Sequence, residues 1–238
     1  MSPRGQFVVV TLGAVVMCAA TARLGFWQLE RGAQKAALRA AIDARAKLPP
    51  LAALEGDAAA LQHRRITLAG RWSAAHTVYL DNRQMDGRPG FYVVTPLVLA
   101  DGRAVLVQRG WVARDLNQRT RLPALTTPAD VLRIEGRIAP PPARLYDFAG
   151  GEAGRIRQNL DLDAFARETG LRLVPGLSVL QTDAPSAADA PLRRDWPAPG
   201  SGVAKHHGYA FQWFGLSALV AALYVWFQVI QPRRRRRA

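Results

Sequence analysis

Two long apolar runs lie near the ends of the chain, and between them hydrophobic and polar residues alternate at strand spacing. Residues 208–230 contain no charged side chain. As a helix they reach ~35 Å at 1.5 Å per residue, enough to cross a hydrocarbon core of about 30 Å. The other run, residues 7–22, is also uncharged and continues past Arg23 into Leu24-Gly25-Phe26-Trp27-Gln28-Leu29. It spans a bilayer only if those residues join the helix while Arg23 snorkels to the headgroups and Trp27 sits in the interfacial belt. The pattern predicts transmembrane helices at 7–29 and 206–230. The competing reading of the first is a cleaved signal peptide, with Arg4 as its basic flank and Ala20-Thr21-Ala22 as its small-residue site. The apolar extension through Leu29 favours an uncleaved anchor. Met17 before Cys18 is too large for a lipoprotein site.

Residues 30–48 are alanine-rich, with Leu38 and Ile42 four apart, and Pro49-Pro50 stops the pattern, which predicts a helix leaving the membrane. Ile66, Leu68, Gly70 and Trp72 then alternate with polar or small residues, and Val78 and Leu80 flank Tyr79. Two β-rich runs at 91–99 and 103–112 are separated by Ala100-Asp101-Gly102, which predicts an antiparallel hairpin turning on Asp101-Gly102. A two-residue loop pairs Ala100 with Arg103 and sets Tyr92 opposite Trp111. Tyr92, Val94, Pro96 and Val98 then share a face with Trp111, Arg109, Val107 and Val105. On that face Arg109 reads as an arginine whose stem packs on aromatics and whose head meets a structural carboxylate, or as a ligand contact.

Further strands are expected at 131–138, 154–160 and 173–182, with a helix at 161–169 capped by Asp161 and ended by Gly170. Residues 184–204 carry four prolines and read as an extended return to the membrane. The expected fold is two transmembrane helices flanking a β-rich α+β domain built on an antiparallel sheet. Its segments are an N-terminus at 1–6, a first span at 7–29, an external domain at 30–205, a second span at 206–230 and an Arg-rich tail at 231–238.

Charge fixes the expected orientation. Arg4 before the first span and Arg233 to Arg237 after the second place both termini in the cytoplasm and the domain outside, periplasmic in a bacterium whose inner membrane holds the chain. A long loop is exempt from that rule, so the 25 basic against 17 acidic residues over 31–205 do not oppose it. The formal charge of +14 would suggest nucleic acid in a soluble protein. Here no basic-aromatic stripe or RNA-binding motif accompanies it, and the terminal arginines suit anionic lipid, so the expected partner is the bilayer and not nucleic acid. A single cysteine excludes an internal disulfide and the paired thiols of a copper carrier.

No nucleophile elbow, phosphate loop or metal-spaced histidine pattern occurs, so the chain does not read as an enzyme. His206 and His207 stand apart because they open the second span beside Tyr209 and ahead of Trp213. A neutral imidazole at an aromatic-rich interface suits a haem axial ligand. An interfacial anchor with no ligand is the commoner use of such a position.

Leu24-Gly25-Phe26-Trp27-Gln28-Leu29-Glu30-Arg31, Asp86-Gly87-Arg88-Pro89-Gly90-Phe91 with Thr95-Pro96-Leu97, Val107-Gln108-Arg109-Gly110-Trp111-Val112 and His206-His207-Gly208-Tyr209-Ala210-Phe211-Gln212-Trp213-Phe214 together closely resemble the Surfeit locus protein 1 family. Gln108 stands where members often carry Asn. The resemblance implies an assembly factor for haem-copper cytochrome c oxidase, a chaperone and not an enzyme, that binds or delivers haem a for the catalytic subunit. It implies subunit I of the oxidase and haem a synthase as partners. It also implies a haem-binding group of His206, or His207 next to it, with Tyr209 and Trp213. Trp27, Gln28, Arg31, Gly90, Arg109, Gly110 and Trp111 are its partner or structural motif residues. Two rival classes are a membrane scaffold that holds oxidase subunits without haem, and an anchored haem-modifying enzyme, for which the sequence supplies no catalytic group.

Overall fold

A computed structural model describes residues 2–118, 120–146, 154–197 and 202–235. The expected tail at 236–238, positions 198–201 of the return segment and Met1 lie outside the described residues. The chain divides into two compact units, Met1–Ala41 with Ala198–Ala238, and Ile42–Pro197.

The first unit is a pair of long apolar helices. Helix α1 runs unbroken over Pro3–Ala46, so the expected span and the expected stem are one helix. Pro49-Pro50 follows its end, as a proline pair that cannot continue a helix should. The returning helix covers Val203–Val225, passes through a π turn at Trp226–Ile230 and resumes at Gln231–Arg235. Both helices are long and apolar enough to cross a membrane.

The second unit is a small β-barrel. Its strands are β1 (Arg65–Trp72), β2 (Val78–Met85), β3 (Arg88–Leu99), β4 (Arg103–Ala113), β5 (Val131–Ala139), β6 (Ile156–Arg157), β7 (Arg172–Leu173) and β8 (Ser178–Gln181). Strands β3, β1, β5, β8 and β4 follow one another, and β4 pairs back onto β3 to close a five-membered ring. The expected all-antiparallel sheet is therefore corrected to a mixed, closed barrel. The reason is topological: strand direction cannot alternate all the way round an odd ring, so one neighbouring pair must be parallel. That pair is β4 and β8, matching Val107 with Val179 and Gln108 with Leu180. Strands β6 and β7 add short parallel pairings to β2 and β4.

The alternation that predicted the strands is the alternation that fills the barrel. Ile66, Leu68 and Trp72 of β1, Leu97 of β3, Val105 and Val107 of β4, Ile134 and Ile138 of β5 and Val179 of β8 form one buried cluster. Between residues 173 and 182 only the two ends are strand, with a turn at Pro175-Gly176 between them, and of 154–160 only two residues pair. The helix at Leu162–Thr169 has Asp161 accepting from Ala164 N at its start and Gly170 at φ 69° at its end, as its capping residues predict.

The β3–β4 hairpin departs from the expected register near its turn. Gly102 N donates to Leu99 O at 3.0 Å and Gly102 lies at φ 76°, so Ala100, Asp101 and Gly102 all belong to the loop. This is a type I turn closed by a left-handed glycine. It shifts the pairing by one: Val98 faces Ala104 and Thr95 faces Val107. Beyond Val94 and Gln108 the register slips back, Arg109 bulges, and Val93 faces Gly110 while Tyr92 faces Trp111. The shared face assigned to Tyr92, Val94, Pro96, Val98, Val105 and Val107 is thus wrong. Val105 and Val107 join Leu97 in the barrel interior, whereas Val94 joins Leu106 and Val78 in a separate cluster.

Candidate functional site

Arg109 follows Val105 and Val107 at strand alternation and so faces inward at the bulge. Its guanidinium carbon lies 4.9 Å from the centre of the Trp72 ring and the residue is 0% exposed. Such a charge is tolerated only when paired and hydrogen-bonded. Arg109 Nη2 donates to Asp189 Oδ1 at 2.7 Å and Nη1 to Thr127 Oγ1 at 2.8 Å. Asp189 Oδ2 accepts from Arg194 Nη2 at 2.7 Å and from Ser186 Oγ at 3.2 Å. Arg194 also donates to the carbonyls of Arg109 and Asp183, at 2.8 and 2.6 Å. Burial pushes the Asp189 carboxyl up, but Arg109 and Arg194 outweigh it and hold the group below the usual aspartate range.

Gly90, Gly110 and Trp111 belong to the same construction. A methyl group on Gly90 would stand 2.3 Å from Val112 O and 2.4 Å from Trp111 Cε2, and one on Gly110 would stand 2.8 Å from Leu192 Cβ. Bare backbone at 90 lets the Trp111 indole pass over β3 to reach β2, where its Nε1 donates to Arg83 O at 2.8 Å. At 110 it lets the chain from Leu192 onward run against β4, exchanging backbone bonds between Trp111 and Arg193 at 2.7 Å each way. The segment expected as a loose return is therefore docked on the barrel up to Trp196, whose Nε1 donates to Gln181 O at 2.7 Å.

The helix pair carries the other group. Along α1 the less exposed positions recur three and four apart at Thr11, Ala14, Cys18, Thr21, Gly25, Gln28 and Gly32. On the returning helix they fall at Val203, His206, Ala210, Trp213, Ser217, Val220 and Tyr224. This is a heptad seam built mostly from small and polar residues, the composition that lets two helices approach closely in a bilayer. A methyl on Gly25 would meet the Phe214 ring at 2.7 Å, and Phe26 packs edge-on against Phe214 at 5.2 Å. Polar contacts cross the seam at several levels. Thr11 Oγ1 meets Tyr224 Oη at 2.9 Å, Ser217 Oγ donates to Cys18 O at 3.1 Å, and His206 Nδ1 lies 2.7 Å from Gln28 Oε1.

The last contact sets the chemistry of one end of the pair. With the Gln28 carbonyl as acceptor, His206 Nδ1 is the donor of this contact, and in the neutral ring that tautomer leaves Nε2 as the acceptor nitrogen. His207 packs its ring against the bare backbone at Gly32, where an added methyl would stand 3.2 Å from Nε2. Tyr209 is 51% exposed, Trp213 is half-buried on the seam and Trp27 is exposed with the Arg31 guanidinium 5.9 Å from its ring centre. Trp27, Gln28, Arg31, His206, His207, Tyr209 and Trp213 thus belong to the helix unit, and Gly90, Arg109, Gly110 and Trp111 to the barrel. The sequence reading missed Asp189 and Arg194, whose only signal was acidic and basic residues within a proline-bearing stretch. It also missed the pairing of Gln28 with His206, for which the heptad spacing of 21, 25, 28 and 32 was the available sign.

A model of the SURF1 family matches residues 15–218. The SURF1-like protein of Rickettsia bellii (strain RML369-C) is 26% identical over 206 residues, covering 84% of this chain and 83% of its own. The SURF1-like protein of Dictyostelium discoideum is 37% identical over 68 residues, covering 29% and 25%. The cytochrome oxidase assembly protein SHY1 of Saccharomyces cerevisiae is 26% identical over 97 residues, covering 39% and 25%.

Proposed function

The chain belongs to the SURF1 family, and from that premise we propose that it is a non-catalytic membrane factor in cytochrome oxidase assembly that holds haem a at the His206 end of its helix pair. The assembly role is supported by the family match over most of the chain and by the kinship with SHY1, an assembly protein by name. The haem role is carried by one observation, the 2.7 Å contact from His206 Nδ1 to Gln28 Oε1. An imidazole fixed through Nδ1 presents Nε2 as a metal ligand, and the acceptor behind it sets ring orientation and basicity. The side chains of the two helices suit the group: Trp27, beside Gln28, and Tyr209 and Trp213, on the helix of His206, would offer aromatic faces, and Arg31, over the Trp27 ring, would offer a cation to a carboxylate. When bound, haem would supply an iron that the His206 imidazole could hold.

An apolar tail crossing water would cost about 25 cal/mol per Å² exposed. A carrier whose ligand stands at the end of two bilayer-crossing helices keeps such a tail in lipid. In this arrangement both termini are cytoplasmic and the barrel is external, periplasmic in a bacterium, with subunit I of the oxidase as recipient and haem a synthase as donor. Reporter fusions at Asp101 and Ala238 should report opposite compartments. A strain carrying His206→Ala should lose most active oxidase while the protein still accumulates in the membrane. Undiminished oxidase with both His206 and His207 replaced would instead favour a scaffold that holds subunits without touching haem.

A further inference from the structure

The end of the helix pair opposite His206 has its own opening. Gly13 and Met17 of α1 and Leu223, Phe227 and Gln228 of the returning helix help to line an apolar groove of about 360 Å³. Gly13 leaves its floor bare, since an added methyl there would find no atom within 4 Å. The groove lies where the returning helix passes into its π turn at Trp226–Ile230, a local widening that recurs at functional sites. Just beyond stand exposed Arg233 and Arg234, the latter with its guanidinium 5.5 Å from the centre of the Trp226 ring. The antiparallel contacts of Thr11 with Tyr224 and Cys18 with Ser217 bring Arg4 to the same end.

We propose that this groove is a binding site for one anionic phospholipid, with an acyl chain between Gly13 and Leu223 and the phosphate on Arg233 and Arg234. The occupant follows from the order of chemistry along the helix. Apolar walls come first. Gln228 then places an amide in the groove, a polar group of the kind that meets lipid esters, before the arginines begin at Arg233. Cations follow at the headgroup level. A zwitterionic lipid satisfies the walls and the amide but not the arginines, which are worth roughly 1 kcal/mol each toward an anionic surface. The site is distinct from the His206 end, and it rests on the reading of the helix pair as membrane-spanning.

Native mass spectrometry of the full chain, released from nanodiscs holding equal phosphatidylglycerol and phosphatidylcholine of the same acyl composition, tests the site. The expected result is retention of one phosphatidylglycerol over phosphatidylcholine by about tenfold or more. Gly13→Phe, which fills the groove from an open position, should abolish that retention, whereas Gly13→Ala should keep it. Arg233→Gln with Arg234→Gln should remove the headgroup preference. Equal retention of the two lipids overturns the proposal. So does phosphatidylglycerol binding that survives Gly13→Phe but falls with the arginine pair, since that is bulk charge and not a seated lipid. Circular dichroism that matches wild type keeps the Gly13→Phe result from being read as misfolding. Release of the chain from membranes by alkaline carbonate overturns the membrane reading itself, whereas a carbonate-resistant chain with no lipid preference overturns the site alone.

Discussion

The barrel and the helix pair each tie down a polar side chain, and they differ in what is left over. In the barrel, Arg109 is shut away beneath Trp72 and its charge is answered by Asp189, which Arg194 answers in turn. Every strong partner in that cluster is another part of the same domain, so the polarity is consumed in holding the segment around Asp189 and Arg194 to β4. In the helix pair, His206 is tied through Nδ1 to Gln28 Oε1, 2.7 Å away. The first arrangement fixes a fold. The second fixes one imidazole ring, and the proposed haem role rests on the ring nitrogen it leaves over. The buried charge in this molecule is thus answered within the barrel, and the functional proposal rests on the helix pair instead.

Removing the carboxylate should produce the largest effect and divide the two regions most sharply. Asp189→Ala leaves Arg109 buried without its counter-ion, a change that costs about 3–5 kcal/mol. Denaturant unfolding of the detergent-solubilised protein should show that loss, with the haem-binding spectrum of the still-folded fraction unaltered. A barrel of ordinary stability would mean that Arg109 has another partner. On the helix side, Gln28→Leu keeps His206 but removes the acceptor behind it, and haem affinity should fall roughly 10- to 100-fold. The same substitution should leave barrel unfolding where it was, so coupled losses would erase the distinction between the regions.

Smaller effects sharpen the picture of the barrel. Gly102→Val places a β-branched residue at φ 76° and should cost about 1–2 kcal/mol in domain stability, seen as a lowered unfolding midpoint. The smallest effect is on acid tolerance. Because the folded Asp189 carboxyl is held below the ordinary value of about 4, its ion cluster stabilises the domain fully above that value. The contribution is lost as pH falls through the lowered folded value. Asp189→Asn should flatten that part of the stability profile, measured by unfolding between neutral pH and the acid limb.

Much of the barrel was legible because strands and caps are local. Ile66, Leu68 and Trp72 announce β1 by alternation, and Asp161 with Gly170 brackets its helix with a cap at each end. Register was not legible, because Ala100-Asp101-Gly102 fits both a two- and a three-residue loop. The correction at Arg109 is a bulge that no local propensity encodes. Closure was not legible either. Strand β8 lies far along the chain from β4, and its parallel pairing follows from the ring having five members, a property of the whole sheet. The prolines around Asp189 suggested a loose return, yet proline only bars a regular ladder and left Arg193 free to bridge Trp111. At the helix end the aromatic and imidazole residues were visible in sequence, while the contact that orients His206 depends on two positions, 28 and 206, brought together by antiparallel packing.

The most direct measurement is the absorption spectrum of the protein purified from cells that make haem a, taken for wild type, His206→Ala and the His206→Ala, His207→Ala double variant. A Soret band in the wild type that is lost in His206→Ala, with the barrel still folded, is the expected result. Full haem occupancy in the double variant would contradict it and place the iron, or the function, elsewhere.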